Sequence, residues 1–574
     1  MSELEQRVGG PPGWAAPVSF AVRHLRRLFP GLEAIHRYPG SRRPDLLAGL
    51  VLAAILVPQG MAYAQLAGLP AVTGLYTTIA CLVGYALFGP SRVLVLGPDS
   101  SISPLIFAAI VPLVVSDDPG QAIALAGMLA ILVGLVEIGL GLGKLGFVAD
   151  LLSKEVQVGY MNGLGITIIV GQLPKLFGFS TEADSFLGEV RAFVEGIGQT
   201  HATTLLLGIS VLAILLILPL ITKRLPAVLV AVVAATVASA LLGLADHGVA
   251  TVGSLPQGIP APSLPFTNAG DLPPLIIAAV GITLVSLTDT IATATSFASR
   301  RGEEVKPNQE MIGIGTANIA AGFFQGFAIS TSGSRTAVAE QSGARTQLTG
   351  LVGAGLVAML LLFLNGLLAD LPDAALAAVV IGAALSLMDI GILRRYNAIR
   401  RSALGVSLVA TAGVVLLGVL QGIVIAVVLA IILFFRRNWW PHGAVLGHLE
   451  NKEGWHALAD YPQAEQIPGI VVYRWEAPLF FANSGRFREE IRRLAREHEP
   501  KWILIQCEAI TDVDVTAAEM LEQLDLELNA AGIHLAFAEM RHRLQELTLR
   551  YGLMDSVDRN NFFPTVEAAL SKIR

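Results

Sequence analysis

VPQGMAYAQLAGLPAVTGLYTT, residues 57–78, is the stretch on which the reading of the chain turns. It closes one apolar run, begun near Leu46, and opens a second that continues to Phe88. Residues 46–66 as a helix would cross a hydrocarbon core of about 30 Å. Pro58 and Gly60 interrupt the end of that helix. Gln59 and Tyr63, four apart, bring polar groups to one helix face at that depth. Side chains of this kind inside a bilayer face a cavity or a neighbouring helix rather than lipid. A kinked helix with interhelical hydrogen bonds would use the same residues.

Further apolar runs follow near 120–143, 155–174, 203–222, 226–244, 274–298, 346–369, 373–391 and 403–435. The last is long enough for two tight spans turning between Gly418 and Gly422. Two stretches are broken instead. Residues 94–115 contain Gly97, Pro98 and Pro104, and residues 311–342 are rich in Gly and Ser. Transporters build binding sites from such discontinuous helices. Composition agrees with a membrane setting: 53% of the residues are hydrophobic and 15% charged, in a chain of 574 residues. A soluble chain of this length would split into domains with charged surfaces. The net charge of −6 does not suggest a nucleic-acid partner. Cys81 and Cys507 lie in unlike settings and form no disulfide framework, and the ten histidines show no metal-ligand spacing. We expect no cofactor, no resident metal and no catalytic triad, so the chain does not read as an enzyme.

Basic residues gather in alternate loops. They are the N-terminal arm (residues 1–44, with seven Arg), Lys144 with Lys154, Lys223–Arg224, Arg300–Arg301–Lys306, Arg394–Arg395 with Arg400–Arg401, and Arg436–Arg437. The loops between are nearly free of them. The positive-inside rule then puts both termini in the cytoplasm and makes the number of spans even. We expect no cleavable signal peptide before the first span. After Trp440 charges return and apolar runs shorten. IPGIVVYRW (467–475), WILIQCEAI (502–510) and IHLAFAEM (533–540) read as strands. LFFANSGRFREEIRRLAREH (479–498) reads as a short strand and an amphipathic helix, and TAAEMLEQLDLELNAAG (516–532) as a helix ending at Gly532. RHRLQELTLRYGL reads as a further helix. Alternating strands and helices make this a small α/β domain.

The 57–78 string resembles the signature of the sulfate permease (SulP) family, bacterial relatives of the eukaryotic anion exchangers that include prestin. The resemblance continues through LVLGPDSSISPLI (94–106) and the segment from SLTDTIATATSFASRR (286–301) to STSGSRTAVAEQSGARTQLTG (330–350). The tail looks like a STAS domain. The resemblance implies an all-α polytopic membrane domain of fourteen spans in two inverted seven-span repeats, with core and gate subdomains. A small cytoplasmic α/β STAS domain follows. We therefore divide the chain into an arm (1–44), a transport domain (45–438, repeats about 45–245 and 273–437) and a linker with STAS domain (439–574). The family also implies a homodimer, here in a bacterial inner membrane.

LGPDSS and SGSR fall at matching depths of the two repeats, as paired broken helices would. Helix N-termini expose unpaired N–H groups and the positive end of the helix dipole. Two opposed N-termini make an anion site that needs no metal. Ser100, Ser101, Gly333 and Ser334 let an anion approach the backbone and add hydroxyl donors; close helix packing would also employ Gly and Ser. With Gln59 and Tyr63 they form the expected substrate site. Arg335 matches the Arg that follows the site serine in prestin-like members and would add positive potential, unless a salt bridge to Asp289 or Glu340 takes it. Asp289 lies in an apolar, Thr-rich helix, where an acid calls for a proton or a cation. Members coupled to H⁺ or Na⁺ carry an acid on this helix, so Asp289, with Thr293 one turn on, is the expected coupling site. Asp99 departs from the apolar or aromatic residue of many eukaryotic members. It suits a helix N-cap, yet its charge would repel an anion. It would point away, carry a proton and so join the coupling, or pair with Arg335. In the tail, ITDVDVTAAEML (510–521) resembles the phosphorylated STAS loop, with Asp514 at the acidic position. Val515 replaces the phosphorylatable residue, and Thr516 reads as the N-cap.

The expected function is secondary transport of a small inorganic anion, sulfate first, by H⁺ symport with alternating access of the elevator type. Na⁺-coupled bicarbonate or dicarboxylate transport is the nearest alternative. A membrane-anchored STAS sensor is another, although an anchor would not need the broken-helix strings. A nucleobase permease of the same architecture usually lacks a STAS tail.

Overall fold

The computed structural model describes residues 30–573 except 38, 116–117, 148–152, 182, 184, 223–224, 451 and 558. The arm before residue 30 and the Lys223–Arg224 pair lie outside the described residues. The chain forms two compact units that divide between Ala430 and Ile431.

The first unit is helical and repeats itself. Its first half contains α1 (Arg42–Leu66), α2 (Ala71–Phe88), β1 (Leu96–Gly97), α3 (Ser103–Ile110), α4 (Pro119–Leu142), α5 (Lys154–Phe177), α6 (Phe186–Gly196), α7 (Ala202–Ile221) and α8 (Ala227–Leu242). The second half has the same order: α9 (Leu272–Ser299), α10 (Pro307–Phe323), β2 (Ser330–Thr331), α11 (Gly333–Gln341), α12 (Leu348–Phe363), α13 (Asp373–Leu387), α14 (Ile390–Ile399), α15 (Arg401–Leu417) and α16 (Val419–Trp439). Leaving aside α6 and α14, which are short and amphipathic, each half supplies seven segments. Among the described residues, six helices of the unit are long and apolar enough to cross a bilayer by length and composition. The shorter segments include the two half-helices, α3 and α11, each preceded by a two-residue strand.

Packing obeys the same symmetry. α1 lies against α12, and its counterpart α9 against α4; α2 packs on α10, and α5 on α13. A close crossing joins α4 and α10. A Cβ on Gly134 would stand 2.4 Å from the Gly315 carbonyl oxygen, and one on Gly315 2.7 Å from that of Gly134. Only glycine allows two backbones this close, which maximises contact where lipid offers no hydrophobic drive for association. The expected break at Pro58 does not occur: α1 runs through it to Leu66. One missing N–H is tolerated because that part of α1 is buried among neighbouring helices, which hold its course. At the other end of the unit a single residue, Gly418 at φ +101°, joins α15 to α16, and Gly422 lies inside α16.

The second unit contains a six-stranded sheet of β3 (Gly443–Leu449), β4 (Lys452–Ala457), β5 (Ile470–Trp475), β6 (Trp502–Gln506), β7 (His534–Ala538) and β8 (Phe562–Phe563). The spatial order is β4-β3-β5-β6-β7-β8, with β5 to β8 parallel and the β3–β4 hairpin antiparallel at one edge. α17 (Ser484–His498), α18 (Val515–Ala530) and α19 (His542–Arg550) contribute to the core on one face, around Tyr473, Ile503 and Phe537. α20 (Val566–Ile573) covers the other, around Val472, Leu504 and Ala536. The alternation along each buried strand sets these two faces. The hairpin, β8 and α20 escaped the sequence reading. The short strand expected at the start of 479–498 is absent, apart from one bridge between Leu479 and Val513. There Asn483 instead folds back, accepting from Phe480 N–H and donating to the Pro478 carbonyl, both at 2.9 Å.

Candidate functional site

β1 and β2 pair antiparallel, Leu96 with Thr331 and Gly97 with Ser330. This pairing brings the starts of α3 and α11 together. Thr331 Oγ1 bonds Thr290 Oγ1 at 3.3 Å and ties the strand pair to α9. A cavity of about 780 Å³ opens beside the pair. Its near wall comes from α1 (Gln59, Tyr63), the β1 turn (Asp99, Ser100) and the α11 start (Gly333, Ser334). Arg335, Asp289 and Thr293 also line it, and α7 and α13 supply a further part of the lining. Nearly all the residues singled out from the sequence for this unit thus surround one space.

Ser101 is the exception. It is 1% exposed and does not line the cavity. Its hydroxyl and its N–H both donate to Asp99 Oδ2, at 2.8 and 3.0 Å. The expectation that Asp99 caps α3 is corrected by the same contacts. α3 begins at Ser103, so the Asp99 side chain closes a turn one step upstream, and the Ser103 hydroxyl donates to the Asp99 carbonyl at 2.7 Å. The second half-helix is capped in the ordinary way. Ser332 Oγ accepts from Arg335 N–H at 3.4 Å and bonds Ser334 Oγ at 3.1 Å. Ser332 was not singled out in the sequence, although as the first residue of SGSR, just before Gly333, it stands where an N-cap belongs.

Arg335 is the dominant charge. Its side chain is fully buried, and its Nη2 lies 3.6 Å from Asp99 Oδ1. Neither Asp289 nor Glu340 takes it, the two partners expected as alternatives. Glu340 pairs with Arg301 at 2.7 Å and Arg300 at 3.6 Å, and Asp289 accepts from Gln157 Nε2 at 3.5 Å. The contact with Asp99 is too long for a hydrogen bond. All three guanidinium nitrogens of Arg335, and Oε1 of Gln59, lack a hydrogen-bond partner among the described residues. The guanidinium lies against Gly97, where a Cβ would come within 2.9 Å of Nη1. A buried, unbonded cation costs several kcal/mol unless something compensates it. An anion set between the α3 and α11 ends would do so, meeting the guanidinium, hydroxyls and free N–H groups together.

In the second unit Asp514 and Thr516 stand at the start of α18. Asp514, not Thr516, is the N-cap: its Oδ1 accepts from Ala517 N–H at 2.8 Å, and its Oδ2 from Phe481 N–H at 2.9 Å. Thr516 lies within the first turn, exposed, next to exposed Val515. Asp514 stands just outside the helix, three residues before Ala517, and so reaches a free N–H of the first turn, which a residue already inside the helix cannot do.

Comparison with known proteins agrees with this architecture. Residues 43–412 match the model of the sulfate permease family and residues 461–569 that of the STAS domain. A probable sulfate transporter of Mycobacterium tuberculosis is 42% identical over 548 residues, covering 95% of this chain and 98% of its own. The chloroplastic sulfate transporter 4.1 of Arabidopsis thaliana is 28% identical, covering 97% and 84%. Among solved structures, the murine Slc26a9 anion transporter in the inward-facing state superposes with a TM-score of 0.86 at 23% identity, over 99% of this chain and 96% of that one. The transmembrane domain of the cyanobacterial bicarbonate transporter BicA does so with a TM-score of 0.60 at 26% identity, over 68% and 97%. The chain belongs to the sulfate permease family: it is a polytopic membrane transporter with a C-terminal STAS domain, not an enzyme.

Proposed function

We propose that this sulfate permease family member is a secondary active transporter of small inorganic anions, sulfate first, bound between the starts of α3 and α11 and driven by symport of H⁺. The observation that carries the reading is the buried Arg335 guanidinium, free of hydrogen bonds among the described residues, at the edge of a cavity between two helix starts. Gln59, Tyr63, Ser100, Gly333 and Ser334 complete the anion contacts. Ser101 acts behind them by holding Asp99. Asp289 and Thr293, in the same cavity, take the coupling ion, and Asp99 offsets part of the Arg335 charge until the anion arrives. That relatives carry the name of sulfate transporter is the reason for putting sulfate first.

Movement follows from the position of the cavity. The cavity is lined by one group, α1, the turn before α3, α9 and the start of α11, and by a second, α5, α7, α8 and α13. Sliding the first group past the second would carry the bound anion across in the elevator manner. The cavity reaches Pro219, Pro226 and Asp389, beside the basic loops that the charge rule places in the cytoplasm. On this reading the arrangement is inward-facing in a bacterial plasma membrane, with both termini inside. Residues 45–438 would form the transport domain of a homodimer, and the STAS-bearing tail after 439 would regulate it through contacts rather than phosphorylation at Val515.

Uptake of labelled sulfate, bicarbonate and fumarate into proteoliposomes, each under an imposed pH or Na⁺ gradient, tests the reading. Sulfate accumulation driven by an inward proton gradient is the expected outcome. Bicarbonate uptake driven by Na⁺, without sulfate uptake, would replace it with the second reading, which the likeness to BicA favours.

A further inference from the structure

Glu137 lies on α4, fully buried, and the transport reading makes no use of it. Its Oε2 accepts from Asn318 Nδ2 of α10 at 2.8 Å, and its Oε1 lies 2.9 Å from Ser286 Oγ of α9. The same two side chains hold Ile329, the residue just before β2. Ile329 N–H donates to Asn318 Oδ1 at 2.8 Å, and Ser286 Oγ lies 3.3 Å from the Ile329 carbonyl oxygen. The four groups form a closed ring beneath the strand that leads to the α11 start.

The backbone fixes the direction of this ring. Ile329 N–H can only donate, so Asn318 turns its oxygen to it and its NH₂ to Glu137. The Ile329 carbonyl can only accept, so the Ser286 hydroxyl donates to it. That hydroxyl has one proton. The contact between Ser286 Oγ and Glu137 Oε1 then requires a proton from Glu137. With Glu137 neutral, every bond runs the same way round: Ile329 N–H to Asn318, Asn318 to Glu137, Glu137 to Ser286, Ser286 to the Ile329 carbonyl. An ionised Glu137 accepts only and would claim the Ser286 proton in a stronger, charge-assisted bond. The bond to the Ile329 carbonyl would be lost.

The surrounding charges point the same way. α4 packs on α3, α9 and α10. No Lys, Arg or His occurs on any of these four helices. Their other acids are Asp289, bonded to Gln157, and Glu310, bonded to Tyr85 at 2.6 Å and to Ser91. A carboxylate at Glu137 would face no counter-ion from the helices that enclose it, an expensive state inside a membrane.

We propose that Glu137 is a resident proton-binding site, whose proton locks Ile329 and with it β2 and the start of α11. Loss of that proton lets Ser286 turn to Glu137 and unclamps the segment that presents Ser334 and Arg335. The site is distinct from Asp289, does not line the cavity, and stands whichever anion is carried.

Infrared spectroscopy on the full-length protein in lipid at neutral pH tests this. The wild type minus Glu137→Gln difference spectrum should contain the C=O stretch of a neutral carboxylic acid, lost in the variant. Gln keeps the ring, accepting from Asn318 and donating to Ser286, so the variant should fold with unchanged thermal stability. A difference spectrum containing only carboxylate bands would overturn the proposal. Ser286→Ala offers a second measurement that leaves Glu137 in place. Removing the acceptor of its O–H should shift the carboxylic acid band, and an unshifted or absent band would again overturn it. Neither readout depends on transport, so failure here is distinguishable from failure of the sulfate reading.

Discussion

At the residue scale the site depends on Arg335, and Arg335 depends on Gly97. A hydrogen bond to a charged group is worth about 1.5–3 kcal/mol, so losing one at Arg335 weakens binding by about tenfold or more. Arg335→Ala should therefore reduce anion affinity by at least that much in a binding titration, and Arg335→Lys should restore it only in part, because an ammonium cannot present the planar fork. Gly97→Ala makes the same point without removing the charge. The new Cβ would push on Nη1, which starts 2.9 Å away. Affinity should fall, and thermal stability should fall with it, because Gly97 sits at φ +158° and the guanidinium it would displace is buried. Asp289→Asn addresses coupling instead. Exchange of anion for anion should survive, whereas accumulation driven by a pH gradient should vanish. Gradient-driven accumulation at the wild-type level would remove Asp289 from the coupling role.

At the element scale the half-helices exist because their strings cannot continue a full span. Pro98 and the Asp99 turn delay α3 to Ser103, and Ser332 starts α11 with a cap. The start of α18 follows the same rule in the soluble unit, with Asp514 as cap. Asp514→Ala should destabilise that unit by about 1–2 kcal/mol, the usual cost of a lost N-cap. Thr516→Ala, in the exposed first turn, should stay within about 0.5 kcal/mol. Denaturant unfolding followed by tryptophan fluorescence, to which Trp455, Trp475 and Trp502 of this unit contribute, separates the two; equal effects would restore Thr516 as the cap.

At the scale of the whole membrane unit, the end of α1 meets the start of α13 far from the basic loops. Gln65 Nε2 donates to Asp373 Oδ1 at 2.8 Å. In the proposed elevator this bond joins the moving group to the stationary one and closes the unit opposite the cavity mouth. Gln65→Ala removes a charge-assisted bond worth about 1.5 kcal/mol or more, enough to shift the balance of inward and outward forms roughly tenfold. A Ser334→Cys reporter should then react faster with a membrane-impermeant thiol reagent added outside. An unchanged rate would mean that the contact does not hold the unit closed.

The sequence by itself determined the membrane class, the two matched halves, the α/β tail and most of the residues around the cavity. These are local or periodic signals: run length, alternating basic loops, and Gly/Ser strings where apolar helices ought to continue. It could not say which charge meets Arg335, because Asp99, Asp289 and Glu340 are each acceptable partners in one dimension. Pairing of β1 with β2 brings Asp99 to it, and Arg301 and Gln157 occupy the other two acids. Pro58 read as a break because its missing N–H is local, whereas the neighbours that keep α1 straight are distant in the chain. Glu137 gave no signal at all. A lone Glu in an apolar helix acquires its meaning only when Ser286, Asn318 and Ile329, from three other parts of the chain, close a ring around it. Donor and acceptor must be counted in three dimensions, and that count belongs to the tertiary structure alone.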